Sequence, residues 1–512
     1  MVKIILISPP VFDFYFTHAR KEPLGLLYLK ESIIEQCLDV TVDLYDTLAS
    51  GKVKKVKLPE CFEYLKPVYR EDRSYFSLFS NYHRFGDSYM KILKKIKTGR
   101  YDIVGISALF SGYFPDVENL IRSIKKNTNS TVIIGGWAVD AEGKSLMIES
   151  EADFFLEGCG EESFPQFVKE FMGNRNYDQI PGLLYKSNNI LFENLPSTRV
   201  KIPTCFPKRD RGYFCWNKRI ARVILSKGCL NKCSFCSIHK NREFSIRSLQ
   251  SIEKELAYLL ESGIEIVNFE DDNLFYDKKY STQFLKILKN FHTKGLSYTA
   301  MNGITASNVQ SLIPEIIEAG FVELNFSLVT SSNKLINEYQ RPFTLDVIKK
   351  NITRIEGKIK TIVFIILGLP GDSPQNVLKD ILALAELPVI IGVSPLYLIP
   401  GLRVFERMGI PCDRRLLRGS ALYKFGPSFT RNDVASLWKF VRMINFLKND
   451  KHVTSENIKE NIEYFRRSVH EKRWYRLTKT RTWEESFSFS VELPEDFSFC
   501  TISGVMHKLS HI

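Results

Sequence analysis

SKGCLNKCSFCSIHK, Ser226 to Lys240, follows directly on the apolar run Arg222–Leu225 and sets Cys229, Cys233 and Cys236 within eight residues of one another. In reduced surroundings a C-x3-C-x2-C loop offers three thiolates to one soft metal centre, and iron–sulfur clusters are held by such thiolates. Zinc is the rival: it asks for a fourth ligand, and His239 stands three residues beyond Cys236. Against zinc, no second Cys/His knuckle lies nearby. A cubane held by three thiolates also leaves one iron open, which favours reactivity over mere structure. Cys37, Cys61, Cys205, Cys215, Cys412 and Cys500 show no ligand spacing; Cys205 and Cys215 flank the end of the linker and could ligate something, though buried thiols are the commoner reading.

Downstream, Ile264–Phe269, Leu296–Ala300, Val322–Ser327, Thr361–Leu367 and Ile390–Leu398 repeat the pattern of Arg222–Leu225, short apolar runs separated by helical segments. The six runs predict a partial (β/α)6 TIM-type barrel over residues 219–402. Barrels gather their chemistry at the carboxyl ends of their strands, and the cysteines come directly after the first. From 403 to 512 the pattern turns mostly helical, with a strand-like alternation at Ser486–Leu493; this C-terminal region is the candidate substrate-binding part.

Upstream, Val2–Ile7, Val40–Leu44, Ile103–Ala108, Thr131–Ile134 and Asp153–Leu156 read as buried strands, with amphipathic stretches such as Pro23–Glu35 and Pro115–Lys126 between them. This βαβ pattern predicts an α/β domain over residues 1–172, a doubly wound, Rossmann- or flavodoxin-like parallel sheet. A Lys-, Tyr- and Phe-rich insertion interrupts it from about 50 to 98, and residues 173–218, rich in Asn, Pro and Lys, read as a linker. Small residues follow the strands at Ser8-Pro9-Pro10, Ser107, Gly135-Gly136 and Gly158-Cys159-Gly160. In open α/β sheets that edge is where ligands bind.

At 512 residues the chain exceeds one ordinary core, and 44% hydrophobic with 25% charged residues are globular values. No apolar run is long enough to span a bilayer, and the opening MVKIILISPP lacks a leader's cleavage pattern, so a cytoplasmic protein with reduced thiols is expected. The formal charge of +13 is spread thinly. Its densest block runs from Arg466-Arg467 through Lys472-Arg473, Arg476, Lys479 and Arg481, interleaved with Trp474 and Tyr475. Such a block fits a nucleic-acid backbone or, more commonly, a solvated helix face.

With its C-x3-C-x2-C spacing, Phe235 before the last cysteine and a place after the first barrel strand, the loop resembles that of the radical S-adenosylmethionine (SAM) enzymes. The resemblance implies that Cys229, Cys233 and Cys236 hold a [4Fe–4S] cluster whose open iron chelates SAM, and that one electron then yields a 5′-deoxyadenosyl radical. It places Phe235 near the adenine. Asp271 and Asp272, in NFEDDNLF, fall where the family binds the amino end of SAM; Gly368 and Gly371, in FIILGLPGDS, fall beside the adenosine. Ser327 falls by the ribose and Asn302 at the third strand's end. Many relatives carry a Glu just beyond the fourth strand, where this chain reads Val329-Thr330-Ser331.

The first domain resembles the cobalamin-binding domain of one large radical SAM subclass, through ISPP, PLGLLYL, DIVGIS, VIIGG and GCGEE. The resemblance implies cobalamin at Ser8, Pro9, Pro10, Ser107, Gly135, Gly136, Trp137, Gly158, Gly160 and Glu161, with Trp137 a candidate to pack on the corrin. Gly136-Trp137-Ala138 replaces the usual Gly-Pro-His, Cys159 replaces an acidic residue, and no D-x-H-x-x-G offers a lower cobalt ligand. The implied activity is methylation of an unactivated carbon in a small-molecule or natural-product substrate, with an electron donor such as flavodoxin or ferredoxin. Two alternatives stay open: a ring-forming or RNA-modifying radical enzyme with a vestigial first domain, and a non-catalytic, zinc-bearing nucleic-acid-binding protein.

Overall fold

The computed structural model describes residues 1–449 apart from 17–21, 70–77, 189, 198–205, 210–211, 216, 239–242, 342–343, 356, 407 and 410. His239, Cys205, Cys500, the basic block at 466–481 and the alternation at 486–493 lie outside the described residues.

Seven strands build the first sheet: β1 (Val2–Ser8), β2 (Val40–Asp46), β3 (Ile103–Ser107), β4 (Thr131–Gly135), β5 (Phe154–Leu156), β6 (Leu183–Ser187) and β7 (Ile190–Glu193). Their order is β7-β6-β5-β4-β3-β1-β2. The five parallel strands therefore follow the flavodoxin-like order, with the switch point between β1 and β3. Alternation sorts the apolar side chains. Ile5, Ile7, Val104, Ile106, Val132 and Ile134 pack under helices Phe114–Asn127 and Trp137–Glu149, whereas Ile4, Leu6, Ile103 and Ile133 pack under Leu24–Gln36 and Gly160–Met172.

Two sequence-derived boundaries are corrected. Within the expected linker 173–218, β6 pairs antiparallel with β5, and β7 with β6, so the first domain runs on to Glu193. The expected insertion is not one unit either. Its last part is the helix Tyr89–Gly99, which buries Ile92 and Ile96 on the first sheet, whereas Leu58, Phe62, Leu65, Leu78 and Phe79 join the core of the second domain.

That second domain is a sheet of β8 (Tyr213–Cys215), β9 (Lys218–Val223), β10 (Ile266–Phe269), β11 (Ser297–Ile304), β12 (Phe321–Val329), β13 (Ile362–Leu367) and β14 (Ile390–Pro395), hydrogen-bonded in that order. β9 to β14 are parallel and β8 is an antiparallel edge, so this is a part-barrel as expected. Three of its helices start on side-chain caps: Ser248 accepts from Ser251 N, Asp277 from Tyr280 N, and Ser373 from Asn376 N with Pro374 in the first turn. The long helix Arg431–Asn449 closes the described chain and packs on the same core through Val434, Leu437 and Phe440.

Candidate active site

The cysteine loop leaves and returns at one point, because Ser226–Lys227 pairs antiparallel with Ser245–Ile246. Gly228 opens the loop at φ +84°, a conformation open to glycine at little cost. The acidic pair after β10 holds this entry from below. Asp271 is fully buried and accepts hydrogen bonds from Leu225 N (3.1 Å), Ser226 N (2.5 Å) and Ser226 Oγ (2.5 Å), while Asp272 accepts from Gly228 N at 3.2 Å. Burial pushes the Asp271 carboxyl up to about 7 against the pull of those donors. Further along, Asn231 Nδ2 donates to Thr305 Oγ1 at 2.7 Å and Ser234 N to Tyr339 O at 3.4 Å.

Cys233 is buried; Cys229 and Cys236 are half-buried. Burial, then the Asp272 and Cys233 charges, raises the Cys229 thiol, and burial with Cys233, Asp272 and Cys229 raises Cys236 to about 11. The three thiols thus lie within electrostatic reach of one another. Arg341 is the cation among them. Its Nη1 donates to Cys233 Sγ at 3.3 Å, its Nη2 to Ser327 O at 2.5 Å, and its guanidinium lies 5.8 Å from the Phe235 ring centroid. Phe235 also packs edge-on against Tyr339, at 5.6 Å.

The remaining residues expected around SAM are drawn to the same end of the barrel, several of them already engaged. Asn302 Nδ2 donates to Asp271 O at 3.1 Å. Gly368 and Gly371 both have positive φ, but the space beside their bare Cα atoms is taken by Phe425 and Leu335 of this chain. The unusual Val329-Thr330-Ser331 stretch follows a register shift between Ser327 and Val329. Val329 sits at φ +69°, strained for a β-branched residue, and Ser331 N is held by Asp380 Oδ2 at 3.0 Å.

In the first domain Ser8, Ser107 and Gly135 end β1, β3 and β4, and Gly158 follows β5, so the expected cobalamin residues share the carboxyl edge of the sheet. Gly136, at φ +112°, has room for no Cβ because Ala108 O stands 2.6 Å from where one would be. Gly158 N donates to Asp140 Oδ1 at 2.7 Å. Next to this edge Leu109 and Phe110 are 54% and 52% exposed, unusual for large apolar side chains beside a switch point. Phe110 reaches the ring of Tyr397, beyond the end of β14, at 6.4 Å. Glu161 pairs with Lys227 at 2.5 Å, fastening this edge to the root of the cysteine loop.

Sequence reasoning missed Arg341, Tyr339, Asn231 and Lys227. The last two lie inside or beside the quoted loop and were open to notice; Arg341, in EYQRPF, carries no local signal. Among the described residues no three His, Cys, Asp or Glu side chains converge on a point fit for one ion. A cubane asks for something else, since each thiolate takes a separate iron, and three thiols on one short loop with the Arg341 guanidinium beside Cys233 fit an anionic cluster.

The Radical SAM superfamily profile matches residues 223–384, from the end of β9 to the helix after β13. The chain is 22% identical over 387 residues to cytidylyl-2-hydroxyethylphosphonate methyltransferase of Streptomyces wedmorensis, covering 67% of this chain and 68% of that one. It is 26% identical over 208 residues to hopanoid C-3 methylase of Methylococcus capsulatus, covering 38% and 39%; the chain thus spans about two thirds of the first relative and two fifths of the second. The radical S-adenosylmethionine methyltransferase TsrM of Kitasatospora setae, solved with cobalamin and a [4Fe–4S] cluster bound, superposes with a TM-score of 0.63 at 13% identity, over 92% of this chain and 100% of that one. With the profile seated on the cysteine loop and the part-barrel behind it, residues 223–384 carry a Radical SAM superfamily domain, and the flavodoxin-like α/β domain before it completes a fold shared with TsrM.

Proposed function

We propose that this enzyme methylates an unactivated carbon of a small-molecule substrate, using a [4Fe–4S] cluster held by Cys229, Cys233 and Cys236, SAM, and cobalamin at the carboxyl edge of the first sheet. When bound, these groups supply a 5′-deoxyadenosyl radical and a transferable methyl group. The observation that carries the reading is the fastening of the two cofactor edges. Lys227, at the root of the cysteine loop, pairs with Glu161 at the sheet edge, and Phe110 meets Tyr397 across the same gap. One substrate between them is presented to both, a proximity effect.

The chain's own residues prepare that space. Asp271 and Asp272 fix the loop entry, Asn231 and Ser234 pin its middle to Thr305 just beyond β11 and to Tyr339 at the end of the helix Asn333–Glu338, and Arg341 sets a fixed positive charge beside Cys233. Leu109 and Phe110 offer an apolar surface to a corrin or substrate. The two methylating relatives and the methyltransferase fold support methyl transfer over ring formation. Among the described residues no helix is long and apolar enough to cross a membrane; the electron for SAM cleavage is expected from a low-potential donor such as a flavodoxin or ferredoxin.

Cys233→Ala, purified and assayed without oxygen, is the direct test. SAM cleavage to 5′-deoxyadenosine is expected to vanish while the circular dichroism of the α/β fold persists. Cleavage at the wild-type rate would refute the ligand assignment.

A further inference from the structure

We infer that Arg341 tunes the cluster, raising its reduction potential through a charge-assisted hydrogen bond to the ligand Cys233; the inference rests on the cluster reading above. Three observations carry it. The guanidinium is aimed by two fixed contacts, Nη1 to Cys233 Sγ at 3.3 Å and Nη2 to the Ser327 carbonyl at 2.5 Å. Its flank lies over Phe235, the residue before the last cysteine. Its backbone is locked as well, with Arg341 N donating to Ile336 O at 2.8 Å behind the left-handed Gln340 (φ +53°). A side chain anchored at both ends stays where it is when the electron arrives.

The physical consequence follows from charge. A guanidinium stays protonated at any working pH, so it is a permanent cation. Reducing the cluster adds one electron, taken from a low-potential one-electron donor, and with it one negative charge spread over the sulfurs. A fixed cation donating to one of those sulfurs stabilises the reduced form more than the oxidised one, and hydrogen bonds to sulfur with net charge are among the levers that set cluster potentials. Arg341 also connects this effect to the fourth strand, since it grips Ser327, where the ribose of SAM is expected. It is a positioning residue that works through Cys233, with no reacting atom of its own.

The test is a potentiometric titration with dithionite, followed by electron paramagnetic resonance, on anaerobically reconstituted wild-type protein, Arg341→Gln and Arg341→Lys, without substrate. The expected result is a midpoint shifted to lower potential in Arg341→Gln at wild-type iron content, with Arg341→Lys between the two, because lysine keeps the charge and loses the planar fork. An unchanged midpoint in Arg341→Gln, iron content being equal, would overturn the inference. Should Arg341→Gln lose its iron, Arg341→Lys decides: a lowered midpoint supports the tuning role, and a wild-type midpoint overturns it. A wild-type protein that takes up no iron would instead bring down the cluster reading itself.

Discussion

Asp271 shows how a residue can stand at the right place for a ligand and be occupied by the chain. Both of its carboxylate oxygens face donors from Leu225 and Ser226, so at the root of the cysteine loop it acts as a clasp. Asp271→Asn would turn an amide N–H₂ toward one of those N–H groups and leave it unpaired. The expected cost is about 2 kcal/mol, the scale of a buried donor without an acceptor, seen as a lowered denaturation midpoint together with reduced iron uptake. Unchanged stability and iron would show that the clasp is dispensable. The sequence made the Asp pair legible as a strand-end acidic site, but not which way each carboxylate turns. Arg341 was illegible for a related reason: its partner Cys233 is 108 residues away in the chain, and neither local pattern nor spacing points across that distance.

At the scale of elements, β14 is the last strand of the part-barrel among the described residues, and an uncovered edge invites pairing with other chains. The helix Arg431–Asn449 covers it with a side chain that mimics a strand. Asn445 Oδ1 accepts from Ile391 N at 2.9 Å and its Nδ2 donates to Ile391 O at 2.8 Å. Next to it Lys448 Nζ donates to the carbonyls of Leu387 and Val389, both at 2.6 Å. Asn445→Leu should orphan both Ile391 groups at about 1–3 kcal/mol each and favour association, read by thermal denaturation and light scattering; a fully monomeric variant of wild-type stability would show that the edge needs no cover. The six barrel strands were readable because β-branched and aromatic runs recur between amphipathic segments, and each observed strand overlaps its expected run. The hairpin β6–β7 was not, because it sits at the sheet's rim with Ile190 exposed and its polar sequence around Ser187-Asn188 reads as loop.

For the molecule as a whole, buried charge as well as apolar packing joins the two domains. Arg418 is fully buried, donates to the carbonyls of Phe12 and Gly112, and stands 3.8 Å from Asp13 and 3.6 Å from Asp116. Arg414 pairs with Glu142 at 3.1 Å and Glu149 at 2.6 Å. On another side Arg209 pairs with Glu22 at 2.7 Å and Glu255 at 3.4 Å, and Glu255 with Arg247 at 2.5 Å. Breaking a buried pair costs several kcal/mol because it strands a charge, so such networks fix one relative placement of the domains. That placement holds the sheet edge against the cysteine loop, and it was beyond sequence reading, since Glu161 and Lys227 lie 66 residues apart and Asp13 and Arg418 lie 405 apart, with no local pattern linking either pair. The central claim, that cluster and cobalamin share this gap, is tested most directly by purifying the protein without oxygen from cobalamin-supplied cells and measuring iron, cobalt and zinc together. The account predicts about four irons and one cobalt per chain; zinc without iron would contradict it.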